Sequence, residues 1–141
     1  MSLLSRFAAW FSSLFAPVQD RAPERPPIPA PPVTFPSITS VDKPPRNDDV
    51  ASGALYFVAN GNKPKWSLFK CPCGCGSVVT LSLQHVHHPH WQFSLTHAAR
   101  PTLYPSVWRD KGCMSHFWIR DGRVYWCADT GSDPRFRRTA D

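Results

Sequence analysis

Between Lys70 and Gly76 the chain reads K-C-P-C-G-C-G, and about forty residues later it supplies Cys113-Met114-Ser115-His116. Three cysteines in five positions, interleaved with proline and glycine, are poor core packing. As thiols they bury little area, and as thiolates they repel one another. A divalent cation resolves that conflict, and zinc with sulfur and nitrogen donors in a tetrahedron is the usual choice. Cys71, Cys73, Cys75, Cys113 and His116 are therefore the candidate metal ligands. A closed tetrahedron needs four donors and the chain offers five. The spacing points to a Cys₃His site using Cys113, His116 and two of the three clustered cysteines, and does not say which cysteine is spare. In an extended segment Cys71, Cys73 and Cys75 would point to one side. Gly74 and Gly76 would let the backbone turn toward the sulfurs.

The five cysteines are an odd number, and pairing within the cluster would close very short, strained loops. This favours a reducing, cytoplasmic setting over a disulfide framework. Cys127 has no metal-spaced partner and reads as a plain thiol.

Most of the 16 prolines precede residue 47, and the stretch from Arg21 to Arg46 has no apolar period. The chain is expected to divide into an amphipathic helix (1–16), a Pro-rich disordered linker (17–48), a zinc-binding β-domain (49–130) and a basic tail (131–141). The helix carries Leu3, Phe7, Trp10, Phe11 and Leu14 at helical spacing. It is too short to span a bilayer and would dock on a partner protein or touch a membrane peripherally. A domain so small gains from a structural metal.

After the linker the apolar period becomes two, and the predicted fold is all-β. Ala54–Ala59, Trp66–Lys70, Val78–Leu83, Trp91–Thr96 and Leu103–Trp108 are short and rich in aromatic and β-branched residues, with turn signals between them. His116–Arg120 and Arg123–Cys127 flank Asp121-Gly122, the signature of a type I′ hairpin. Alternation puts Phe117 and Ile119 on one face, with His116, Trp118 and Arg120 on the other.

Other chemistry is sparser. The run His85-Val86-His87-His88-Pro89-His90 could form a three-histidine metal site, but no acidic residue lies between Val50 and Trp108 to serve it. Exposed loop histidines are the simpler reading. Ser106, Ser115 and His116 could enter a hydrolytic site, or a clustered cysteine could be a nucleophile with His116 as base. Ser106 follows Pro105 and lacks a nucleophile-elbow context. Net charge is +6 with the basic residues scattered, so nucleic acid is the less favoured partner.

The strings CPCGCG (Cys71–Gly76), PTLYPSVW (Pro101–Trp108) and CMSHFWIRDGRVYW (Cys113–Trp126), with Trp91 between, resemble a bacterial family of small zinc-binding proteins of uncharacterised function. Members are often encoded with ubiquitin-like conjugation systems, in mobile or antiviral-defence islands. The resemblance covers roughly residues 54–127. It implies zinc on Cys71, Cys73, Cys75, Cys113 and His116, and matches Thr102, Ser106, Ser115 and Trp118 to other motif positions. It implies an accessory role beside a ubiquitin-like protein, an E1-like or E2-like enzyme, or their substrate. The favoured expectation is a non-enzymatic zinc adaptor. The alternatives are a metal-dependent or thiol hydrolase acting on ubiquitin-like conjugates, and a zinc-containing nucleic-acid-binding domain.

Overall fold

The computed structural model describes residues 26–136. The expected helix at 1–16 and the last residues of the basic tail lie outside the described residues. The described chain is all-β: eight strands and two single 3₁₀ turns, at Asn47–Asp49 and Pro134–Phe136.

The strands form two four-stranded sheets. The first runs in the order β1 (Ile38–Val41), β2 (Leu55–Asn60), β3 (Lys63–Lys70), β4 (Val78–Ser82). The second runs β5 (Gln92–Leu95), β6 (Pro101–Trp108), β7 (His116–Arg120), β8 (Arg123–Trp126). All neighbours are antiparallel except β1, which lies parallel to β2. The inward side chains of both sheets meet in one core. Leu55, Phe69, Val79 and Leu81 come from the first, and Leu103, Val107, Phe117, Ile119 and Val124 from the second. Phe69 on β3 meets Phe117 on β7 edge to face, with centroids 6.3 Å apart, a geometry the ring quadrupoles favour.

Seven of these strands overlap the segments that the sequence marked as strands, while Ser67, Leu68 and Phe69 on β3 are buried in succession. Along β7 Phe117 and Ile119 are fully buried while His116, Trp118 and Arg120 lie on the other face, because successive strand residues point to opposite sides. Asp121 and Gly122 have φ of 49° and 67°, the left-handed pair that a type I′ turn requires.

The Pro-rich stretch contributes more than linker length. Phe35 is completely buried and packs edge to face on Phe69 at 5.4 Å. The N–H groups of Thr34 and Phe35 both donate to the Gly122 carbonyl at 2.8 Å, Val33 bridges to Arg123, and the Arg123 guanidinium donates to the Pro31 carbonyl. Residues 33–41, read from sequence as linker, thus belong to the packed unit. Proline-rich backbone is extended already, so clamping it costs less entropy than ordering a flexible segment.

Candidate metal centre and serine triad

The residues from Cys71 to Ser77 form the loop between β3 and β4, closed by the Cys71 N–H donating to the Ser77 carbonyl at 2.9 Å. Gly74 and Gly76 take φ of 86° and 79°, so the sulfurs converge through a tight turn and not, as the sequence suggested, along an extended segment. Cys113 reaches the same point from the loop between β6 and β7. The sulfurs of Cys71, Cys73, Cys75 and Cys113 all lie within 4.8 Å of one another and could hold a metal ion. Cys71 and Cys73 are separated by 3.4 Å and Cys71 and Cys113 by 3.8 Å. The edge of a tetrahedron with metal–sulfur bonds of about 2.3 Å is about 3.8 Å, so little movement would be needed.

Charge in the cluster is unevenly held. Burial pushes the Cys71 thiol up to about 12, whereas hydrogen bonds from Ser77 pull Cys75 down to about 6. Burial opposes ionisation of Cys113, but hydrogen bonds from Ser115, Cys73 and Cys71 together lower that thiol too. The Ser115 hydroxyl donates to the Cys113 sulfur at 3.2 Å. Thiolates are the metal-binding form of cysteine, and two of the four sulfurs are biased toward it before any ion arrives.

His116 does not join these sulfurs. The structure brings all four cysteines together without it, unlike the expected Cys₃His set, because both its ring nitrogens face other partners. Nε2 lies 3.0 Å from the Ser106 hydroxyl oxygen, and Nδ1 lies 2.6 Å from Asp129 Oδ1. The imidazole is only 12% exposed. Trp108 covers it in a parallel stack with centroids 4.2 Å apart.

The fold explains this arrangement. His116 pairs with Trp108 across β7 and β6, so Ser106, two residues before Trp108, is its diagonal neighbour on the same face. The ladder shifts by two residues between Leu103 and Val107, where Pro105 has no N–H to offer. That bulge aims Ser106 at His116. Asp129 comes from the turn after β8. The Gly131 N–H donates to the Met114 carbonyl at 2.9 Å, the Cys127 N–H to the His116 carbonyl at 2.9 Å, and the His116 N–H to the Thr130 hydroxyl at 3.0 Å. The turn is thus fastened to the backbone on both sides of His116.

Sequence reasoning named Ser106 and His116 but missed Asp129. Its one signal was the A-D-T-G turn directly after the last strand. The other motif residues have local duties. The Thr102 hydroxyl accepts the Asp121 N–H at 2.9 Å and so braces the hairpin turn. Arg120 sits over the Trp118 ring at 4.4 Å. In the histidine run, His85 and His90 approach to 3.3 Å and His87 meets the Ser82 hydroxyl at 2.6 Å. The run supplies no member of the groups of three or more metal-type donors found among the described residues. Cys127, by contrast, lies beside His116 and Asp129, and burial, then the Asp129 charge, push its thiol above the ordinary value.

A serine hydroxyl, an imidazole and a carboxylate in hydrogen-bonded series on an all-β scaffold define the triad geometry used by serine hydrolases, which is recognised by geometry and not by order along the chain. Residues 40–127 match the family described as "Bacterial ubiquitination-like system serine protease (BubE)". The match spans more than half the chain, and the protein belongs to this family, which ties it to a bacterial ubiquitination-like system. No curated protein and no solved structure matches the chain. No helix of the described residues is long and apolar enough to cross a membrane.

Proposed function

We propose that the chain is a serine peptidase acting on ubiquitin-like proteins or their conjugates, with a structural zinc ion held by Cys71, Cys73, Cys75 and Cys113. The observation that carries this is His116, bonded on one nitrogen to Ser106 and on the other to Asp129. Ser106 Oγ attacks the scissile carbonyl while Nε2 of His116 takes its proton. Asp129 holds Nδ1–H and stabilises the imidazolium that forms. The same Nε2 then returns the proton to the departing amine, and water releases the acyl group by the reverse sequence. Acyl transfer also needs N–H donors aimed at the developing oxyanion. The interrupted ladder between Leu103 and Val107 is where main-chain groups leave regular sheet pairing beside Ser106. A groove of ≈280 Å³ is walled by Trp91, Val107, Arg109 and Trp108, the last of which also stacks on His116.

Four cysteine donors close a tetrahedron, which suits zinc in a structural role and leaves no open position for a catalytic water. This arrangement supports the serine hydroxyl, not the metal or a thiol, as the source of the nucleophile. An adaptor without chemistry, the role the sequence favoured, would have no use for the relay. The test is incubation of the zinc-loaded chain with a ubiquitin-like protein extended at its C-terminus by a reporter peptide. Cleavage by the wild type and its loss in Ser106→Ala are expected. Retention of the ubiquitin-like protein without cleavage, unchanged by Ser106→Ala, would instead establish the adaptor.

A further inference from the structure

The triad uses three side chains, yet a fourth reactive group stands against it. Cys127 directly follows β8, and its N–H is bonded to the His116 carbonyl at 2.9 Å. Its sulfur, a ring nitrogen of His116 and a carboxylate oxygen of Asp129 all lie within 4.8 Å of one another. Peptide hydrolysis requires no thiol there. Core packing does not account for it either, since Cys127 is only partly buried and is absent from the central cluster. A sulfur, an imidazole nitrogen and a carboxylate around one point are the three donor types that zinc accepts, and three protein donors leave a fourth position for water.

We propose that His116, Cys127 and Asp129 form a second, inhibitory site for a zinc-class divalent cation. Nδ1 is the ring nitrogen on the Asp129 side, so the ion takes the Nδ1 lone pair, one Asp129 oxygen and the Cys127 sulfur. A neutral imidazole has one N–H, and with Nδ1 on the metal that hydrogen must sit on Nε2. Nε2 then donates toward Ser106 Oγ and cannot accept its proton, so the nucleophile is not activated. The thiol proton passes to solvent, giving one proton released per ion bound, and no electrons move. Chelation reverses the step. Binding is independent of the peptidase reading, whereas inhibition rests on it.

The two sites separate in a cobalt(II) titration of the full chain, monitored by thiolate-to-metal charge-transfer absorption. The wild type is expected to bind a first equivalent tightly on the four-cysteine cluster and a second more weakly, also with thiolate absorption. Cys127→Ser is expected to lose that second thiolate signal while keeping the first, with a second-ion affinity lower by at least ~100-fold, since altering even groups that merely orient ligands costs up to that much. Asp129→Asn, examined for metal equivalents only, gives an independent readout should Cys127→Ser fold poorly. In parallel, zinc beyond one equivalent should abolish wild-type hydrolysis, with the midpoint moved ~100-fold upward in Cys127→Ser. A single equivalent in the wild type, or a second equivalent whose thiolate absorption survives in Cys127→Ser, would overturn the site. If no hydrolysis is seen under any condition, the peptidase reading fails, and the metal count still decides the site.

Discussion

Ser115 donates its hydroxyl to the Cys113 sulfur at 3.2 Å, and the next residue in the chain is His116, whose imidazole joins Ser106 to Asp129. The cysteine cluster and the triad are therefore adjacent along one loop, and the loop that carries Cys113 also delivers the histidine to β7. The Ser115 carbonyl accepts the Arg109 N–H at 2.9 Å, which fixes the loop to the end of β6, the strand carrying Ser106.

Metal removal should consequently damage stability and activity together. A zinc ion bound only by the folded chain adds its binding energy to folding. Chelation, or Cys113→Ser, is expected to cost on the order of 3 kcal/mol or more, roughly 15 °C in melting temperature for a domain of this size. Differential scanning calorimetry with and without chelator checks this. A melting temperature that ignores zinc would remove the structural role from the cluster.

In the proposed mechanism Asp129 orients His116 and stabilises the imidazolium that forms as Ser106 attacks. Asp129→Asn keeps the shape but favours the wrong imidazole tautomer, so kcat/KM should fall by ~10⁴. Because the triad acts as a unit, adding Ser106→Ala to Asp129→Asn should cost far less than the product of the two single losses. Steady-state kinetics on the single and double variants measure it.

Gly122 is the tightest point of the hairpin. A Cβ there would stand 2.1 Å from the Phe35 carbonyl oxygen, at a φ of +67°. Gly122→Ala must therefore push away the segment whose Thr34 and Phe35 N–H groups it anchors. Left-handed strain and the backbone clash together should cost about 3 kcal/mol or more, read as a lower midpoint in urea unfolding.

Asp121 gives a pH signature. The Thr96 hydroxyl, and then the Arg100 guanidinium, hold its carboxyl below the ordinary carboxylate value. A depressed folded-state value means the stabilisation is complete above the ordinary carboxylate range and is lost as pH falls through the lowered folded value. Asp121→Asn tolerates the positive φ but has no charge to titrate. Wild type should exceed this variant in melting temperature at neutral pH, and the gap should close in the acid range below about pH 4. A gap independent of pH would mean that shape, not charge, holds the turn.

Much of this architecture was readable because local chemistry and tertiary packing agree. Phe117 and Ile119 alternate with His116, Trp118 and Arg120, and Asp121-Gly122 can hardly form anything but a tight hairpin. The crowding of Cys71, Cys73 and Cys75 was legible as a donor cluster for the same reason, although the sequence left one of the three spare and gave its place to His116. β1 was not: Ile38–Val41 is short, half polar and surrounded by proline, and its strand character comes from lying beside β2. His116 was read as a ligand because it stands three residues after Cys113. The positive φ of Met114, 53°, lies between them, and spacing alone does not show how the chain turns there. Asp129 was marked only by the turn signal A-D-T-G, which does not show where its carboxylate goes. Its place depends on a turn whose hydrogen bonds run to Met114 and His116 backbone atoms, and no residue periodicity encodes such contacts.

Whether Ser106 is an activated nucleophile is decided by covalent labelling of the zinc-loaded chain with a fluorophosphonate, followed by peptide mapping of the adduct. An activated serine attacks phosphorus as it would a carbonyl, whereas an ordinary hydroxyl does not. One phosphonyl group is expected on Ser106, largely lost in His116→Gln. Folded, zinc-loaded protein that carries no adduct on Ser106, or labels it equally well in His116→Gln, would contradict activation of Ser106.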